Sequence, residues 1–351
     1  MDKYSYLSNA TPEYIENLYL DFKANPASVD VEFKKFFEGF DYASSSANGN
    51  GKATSVSLDE IKVYKLITDY RDKAHLISTT NPLQPRKDRK ANLELENFGL
   101  SEKDLERRFQ IGNEIGLPNA TLSEIIAKLK AVYAGNIGFE FGYVRTKEER
   151  DWLLERIEKP AQLYNYNIGK KEQIFRALNR ASVFEKFLGT KYIGEKRFSL
   201  EGGETTIPAL EAIINKSAEL GAEEVIFGMA HRGRLNVLAN IIGKTYEEIF
   251  NEFEGNIVGD PIFGDGDVKY HLGYTSLFKA AKGKSVYLKL MPNPSHLEAV
   301  SPVIAGFCRA KANTIYNEHF EKILPIAIHG DAALAGQGII YEVLQMEKLP
   351  G

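Results

Sequence analysis

"ILPIAIHGDAALAGQGIIYEVLQ", residues 323–345, sets the reading of this chain. An aliphatic run ends in His329-Gly330-Asp331, small residues follow, and a helical pattern closes the stretch. A short aliphatic run ahead of a helical pattern marks a βα unit. Two more segments have this texture. "EEVIFGMA" (Glu223 to Ala230) precedes "HRGRLNVLANIIG", and "SVYLKLM" (Ser285 to Met291) precedes "PNPSHLEAVSPVIAGFCRAKANTIY". Strands that alternate with helices predict an α/β fold, a parallel sheet with helices on its faces. The run at 323–328 is apolar enough to be expected at the sheet centre.

In an open parallel sheet, ligands bind outside the carboxyl ends of the strands. His231, His296 and His329 all fall there, with Arg232, Arg234, Ser295 and Asp331. The chain holds six histidines, so three at equivalent positions point to a shared crevice. His271, in "GDVKYHLGYTS", sits in a Gly-rich loop between two units. His75 and His319 lie in ordinary helical surroundings and read as structural.

Asp331 opens a loop of small residues that leads into a helix. Small side chains let a ligand approach the backbone, and a helix N-terminus offers free N–H groups to an anion. An aspartate beside a phosphate repels it unless a cation lies between. Mg²⁺ takes a carboxylate together with phosphate oxygens, so an Mg²⁺-diphosphate site is expected. The alternative is that Asp331 simply caps the helix. No G-x-x-x-x-G-K-[ST] occurs, and no G-x-G-x-x-G follows a strand. "FGDGD" (Phe263 to Asp267) has glycines but no strand before it. A zinc hydrolase built on His231, His271 and His296 lacks any H-E-x-x-H.

The 351 residues are 43% hydrophobic and 26% charged, with a net charge of -4, so no basic surface advertises nucleic acid. A single cysteine, Cys308, argues against a disulfide scaffold. The polar start "MDKYSYLSNATPEY" lacks the order of a signal peptide, and no apolar run is long enough to span a bilayer. A cytoplasmic protein without a membrane segment is the expectation.

Four regions are expected. Residues 1–42 form an arm: a helix starts at Thr11-Pro12-Glu13 and carries Ile15, Leu18 and Phe22, Pro26 breaks it, and Val31, Phe33, Phe36, Phe37 and Phe40 form an aromatic cluster. Such an arm binds a partner or packs on its own protein. Residues 43–56, "ASSSANGNGKATS" at their centre, read as a flexible linker. Residues 57–189 read as mainly helical, with Ile61, Tyr64, Leu66 and Ile67 in the first helix and amphipathic stretches after it. Residues 190–351 hold the βα units.

Several motifs resemble the thiamine-diphosphate-dependent component of the 2-oxoglutarate dehydrogenase complex. They are "FLGTKYIGEKRFSLEGGETTIPAL", "FGMAHRGRLNVLANIIGK", "GDVKYHLGYTS", "LMPNPSHLEAVSPVIAG" and "IHGDAALAGQGIIYE". "RDKAHLISTTNPL", "YAGNIGFEFGYV" and the arm "YIENLYLDFKANPASVDVEFKKFF" resemble its upstream regions. The resemblance implies oxidative decarboxylation of 2-oxoglutarate, in the tricarboxylic acid cycle, with transfer of the succinyl group to lipoyl groups of the dihydrolipoamide succinyltransferase. It implies thiamine diphosphate and Mg²⁺ as cofactors, and a homodimer. His231 and His271 match catalytic residues that bind the oxoacid. Arg232, Ser295, Leu297, Asp331, Ala332 and Ala333 match positions at the cofactor, with Asp331 the metal ligand. His296 lies between two such positions, and His329 is a neighbour only.

Two departures stand out. The metal motif of thiamine enzymes begins Gly-Asp-Gly, whereas here it is Gly330-Asp331-Ala332. The Asn that closes the motif, and the later domain with its activating glutamate, would fall beyond Gly351. The chain is therefore expected to be the N-terminal portion of a longer polypeptide, its thiamine-diphosphate-binding fold truncated and inactive alone. A decarboxylase for 2-oxoadipate, or a docking fragment without catalysis, are the alternatives.

Overall fold

The structure, a computed structural model, describes residues 12–30, 33–34, 37–38, 58–160, 166–255, 271–347 and 349. The linker at 43–56, "FGDGD", and Val31, Phe36 and Phe40 of the arm lie outside the described residues. The chain divides into two compact units, Met1–Asn165 and Tyr166–Gly351.

The first unit is mainly helical. Helix α1, Pro12–Ala24, carries Phe22 into a small cluster with Val29 and Phe37, edged by Ile15, Leu18, Tyr19 and Phe33. Tyr19, Phe22, Phe33 and Phe37 thus pack on one another. Helix α2, Leu58–Lys73, buries Val63, Leu66, Ile67 and Tyr70, which share a face at helical spacing. Ile61 and Tyr64 of the same helix are exposed. A short antiparallel pair, β1 (Arg108–Phe109) and β2 (Ala120–Thr121), leads into α3, Leu122–Tyr133. Thr121 and Glu124 form a reciprocal capping box that starts α3. Helix α4, Lys147–Glu158, ends on a buried carboxylate. Arg71 Nε and Nη2 donate to Glu158 at 2.7 and 2.8 Å, and the Tyr133 hydroxyl donates to it at 2.5 Å.

The second unit contains α5 (Ile168–Lys191), α6 (Thr206–Leu220) and a four-stranded sheet. Its strands are β3 (Glu224–Met229), β4 (Tyr274–Lys279), β5 (Ser285–Leu290) and β6 (Ile323–Ile328), in the order β4-β5-β3-β6. β5, β3 and β6 run parallel and β4 runs antiparallel to β5. All three aliphatic runs are strands, and the class is α/β. β4 is an addition to the expected sheet, so the "Gly-rich loop" of His271 leads straight into a strand. β6 lies at an edge of this sheet, not at its centre. An edge tolerates Pro325, which has no N–H to donate.

β3 is wholly buried, and its side chains alternate between two helical layers. Val225, Phe227 and Met229 join the core of α5, α6 and the segment after β3. Ile226 faces α9 (Val300–Thr314) with Ile304, Cys308 and Ala312. Gly228 sits on that same side, where an added Cβ would meet Ile304 Cγ2 at 2.7 Å. The glycine is what lets α9 lie this close to the sheet. Helix α5 was read with the helical region, yet Ala177, Ala181, Phe184 and Leu188 are buried in the core of the sheet. Its apolar stripe fits this sheet, so the helix falls in the second unit.

Candidate functional site

After β3 the chain turns at His231-Arg232-Gly233. Gly233 takes φ +75°, and its N–H donates to the Phe198 carbonyl at 2.8 Å. This left-handed residue ends the strand abruptly and starts α7, Arg234–Val237, which continues through a π-helical turn, Leu238–Ile242. His231 is left half-buried at the carboxyl end of β3. Because β4 is antiparallel, its amino end lies beside the carboxyl end of β5, and this brings His271 to the same edge.

The two imidazole rings lie 4.9 Å apart. His271 is buried, and its Nε2 stands 3.2 Å from Ser295 Oγ, in the loop that follows β5. The Phe198 ring lies 5.2 Å from His231 on another side. Burial, and then the neighbouring His271 ring and Arg234 guanidinium, hold His231 below the ordinary histidine range. Its neutral form is therefore favoured until an anion arrives.

Behind this pair lies Arg234, fully buried. Its Nη2 donates to the carbonyls of Met291 at 2.6 Å and Leu272 at 2.8 Å, with a longer contact of 3.5 Å to His271. It joins the helix after β3 to the ends of β4 and β5. Its Nε and Nη1 have no hydrogen-bond partner among the described residues, and burial lowers its pKa to about 10. Asn293 adds a second tie: its Nδ2 donates to the Met229 carbonyl at 2.9 Å and its N–H to the His271 carbonyl at 3.1 Å.

The loops after β5 and β6 complete the edge. Ser295, His296 and Leu297 are exposed, and Arg232 is exposed with Nη1 donating to the Ser199 carbonyl at 3.1 Å. Asp331, Ala332 and Ala333 open α10, Asp331–Gly336, followed by α11, Gly338–Gln345. The N-cap of α10 is Gly330, and no side chain caps the helix. The capping alternative for Asp331 therefore has no hydrogen bond to support it. The carboxylate is exposed in the first turn, and no atom lies within 4 Å of a Cβ placed at Gly330, Gly336 or Gly338. A free carboxylate beside open space fits one side of an Mg²⁺-diphosphate site. Among the described residues no group of three His, Cys, Asp or Glu could hold a metal. Mg²⁺ does not require one, since it keeps waters and takes phosphate oxygens.

Comparison with known proteins bears on this edge. The family described as 2-oxoglutarate dehydrogenase N-terminus matches residues 4–44. A protein of Brucella anthropi named 2-oxoglutarate dehydrogenase E1 component is 36% identical over 99% of this chain and 42% of its own length. One of Azotobacter vinelandii with the same name is 36% identical over 99% of the chain and 39% of its own length. The chain is a relative of the 2-oxoglutarate dehydrogenase E1 component. It spans about two fifths of the length of these E1 relatives.

The carboxyl edge gathers His231, His271 and Ser295. His296 is exposed, as are His75 and His319, the last 3.0 Å from Glu321. Sequence reasoning placed Arg234 at the edge but gave it no task, and it missed Asn293 and Glu298. The double arginine around Gly233 was the available signal for Arg234. Among the described residues no helix is long and apolar enough to cross a membrane.

Proposed function

We propose that this region forms the oxoacid-binding and diphosphate-binding side of a thiamine-diphosphate-dependent decarboxylase acting on 2-oxoglutarate. The observation that carries this reading is the meeting of His231, His271 and Ser295 at the carboxyl ends of the strands, the same edge on which Asp331 stands. Thiamine diphosphate, when bound, supplies the electron sink that decarboxylation of a 2-oxoacid needs.

The chain's own residues supply recognition and orientation. His231 and His271 accept the substrate's carboxylates as charge-assisted hydrogen-bond donors. Ser295 fixes the His271 ring through Nε2. Asp331 holds Mg²⁺, and Ala332 and Ala333 let the diphosphate approach the backbone. Arg232, Ser295 and Leu297 line the cofactor's side. A polypeptide of the relatives' length would carry the remaining ligands of a thiamine-diphosphate fold.

In this reading the decarboxylase acts in the tricarboxylic acid cycle, as a cytoplasmic homodimer that passes succinyl groups to a dihydrolipoamide succinyltransferase. Residues 1–42 are the segment proposed to dock there, joined by the linker at 43–56. A preference for 2-oxoadipate keeps every residue in the same role and differs only in the pocket's length. Turnover of 2-oxo dicarboxylic acids with four, five and six carbons, by the full-length polypeptide with an artificial electron acceptor, tests the reading. The highest kcat/KM is expected for the five-carbon acid. A maximum at six carbons moves the assignment to 2-oxoadipate, and no turnover of any of the three overturns it.

A further inference from the structure

His329 and Glu298 meet where two loops of this edge converge. Glu298 follows Leu297 in the loop between β5 and α9, three residues after Ser295. Its backbone takes φ +65°, the left-handed region that a side-chain-bearing residue rarely adopts. It is 8% exposed. Left-handed backbone and a buried carboxylate each oppose folding, and both persist only where surrounding contacts hold them.

Those contacts come from two directions. Ser301 Oγ, in the first turn of α9, donates to Glu298 Oε2 at 3.3 Å, and the Ser301 N–H donates to the Glu298 carbonyl at 3.0 Å. From across the edge, His329 Nδ1 lies 2.6 Å from the same Oε2. His329 is the last residue before Gly330-Asp331. A bond this short to a carboxylate fixes the imidazole ring and with it the end of β6. The loop that carries Ser295 and Leu297 is thereby tied to the turn that carries Asp331.

We propose that the His329–Glu298 pair is a latch between these two loops, which sets the Asp331 carboxylate in register with Ser295 and Leu297 for an Mg²⁺-bound diphosphate. Both are positioning residues: they touch neither metal nor substrate and act through Asp331 and its opposite loop. The proposal rests on reading Asp331, Ser295 and Leu297 as the cofactor's side of the site. The left-handed turn at Glu298 aims its carboxylate inward at β6 instead of outward, so the strained backbone has a task.

Calorimetric titration of the full-length polypeptide with thiamine diphosphate, with and without Mg²⁺, tests this in Glu298→Ala, Glu298→Gln, His329→Gln and the Glu298→Ala/His329→Gln double variant. Glu298→Ala and His329→Gln are each expected to weaken Mg²⁺-dependent binding on the order of tenfold, the range seen when a partner that orients a metal ligand is lost. The double variant should bind no more weakly than the worse single one, because the two side chains act as a unit. Glu298→Gln keeps an acceptor for His329 and should recover most of the affinity. If Glu298→Ala does not fold, His329→Gln carries the test from the other side of the same contact. A role confined to starting α9 would lower the melting temperature of the cofactor-free protein and leave affinity well below that temperature unchanged. That result, or losses that multiply in the double variant, overturns the latch. Asp331→Asn serves as the reference. If it weakens binding and the latch variants do not, only the latch fails. If the unsubstituted protein binds no thiamine diphosphate, the cofactor reading fails and the latch with it.

Discussion

A dicarboxylate entering the edge between His231 and His271 should draw a proton out of solution. Burial, the His271 ring and the Arg234 guanidinium lower the His231 pKa from its ordinary 6.5. The unfolded chain therefore binds more protons at this group over a window just below that value. The stability it contributes is complete above pH 6.5 and is lost as pH falls through the window. An anion reverses the balance. Two imidazolium charges 4.9 Å apart would repel by about 1 kcal/mol in water and about 3 kcal/mol at an effective dielectric of about 20. His231 is half-buried, so about 2 kcal/mol is the relevant scale. A carboxylate at a similar distance contributes an attraction of that size, enough to raise the proton affinity of His231 by more than tenfold. Glutarate, a five-carbon dicarboxylate without a keto group, is a suitable unreactive probe. Calorimetry at about pH 7 in buffers of different ionisation enthalpy should show net proton uptake on binding. Affinity should fall as pH rises from about 6 to 8, by up to tenfold per unit. His231→Gln should abolish both effects. Absence of uptake, or uptake that survives His231→Gln, would refute the reasoning.

Two further predictions concern stability. Glu158→Gln leaves the half-buried Arg71 without its counter-ion and weakens the acceptor of the Tyr133 hydroxyl. The cost should be about 3 kcal/mol, and scanning calorimetry should record the first unit melting lower by roughly 10 °C; an unchanged transition would mean that the pair adds nothing. Gly228→Ala puts a Cβ 2.7 Å from Ile304 Cγ2 and should cost about 1–3 kcal/mol in denaturant titration, and the loss should shrink in an Ile304→Ala background, which lacks that methyl.

Much of the α/β unit was legible because its signals are local. Each parallel strand is a compact aliphatic run followed by a helical pattern, and the rule that ligands sit at carboxyl ends then gathers His231, Ser295 and Asp331 without coordinates. β4 escaped because Tyr274–Lys279 alternates between partly buried and exposed residues, with no aliphatic run. The hairpin signal lay in Ala281-Lys282-Gly283, where Lys282 and Gly283 both take positive φ. An amphipathic stripe says that a helix is half-buried but not in which core, so α5 was grouped with its helical neighbours. Arg234 had no task in the sequence, because nothing local shows that three carbonyls from the segments flanking β4 and β5 converge on it. The Glu298–His329 contact joins residues 31 positions apart. Neither has a local partner pattern that marks it.

The central claim is that Asp331 holds the Mg²⁺ of a bound diphosphate. Asp331→Asn in the full-length polypeptide keeps the side chain's size and removes its charge, and no capping bond is at stake. Thiamine diphosphate titrated calorimetrically in the presence of Mg²⁺ should bind at least about tenfold more weakly to this variant, with the melting temperature of the cofactor-free protein nearly unchanged. Affinity equal to that of the unsubstituted protein would contradict the claim.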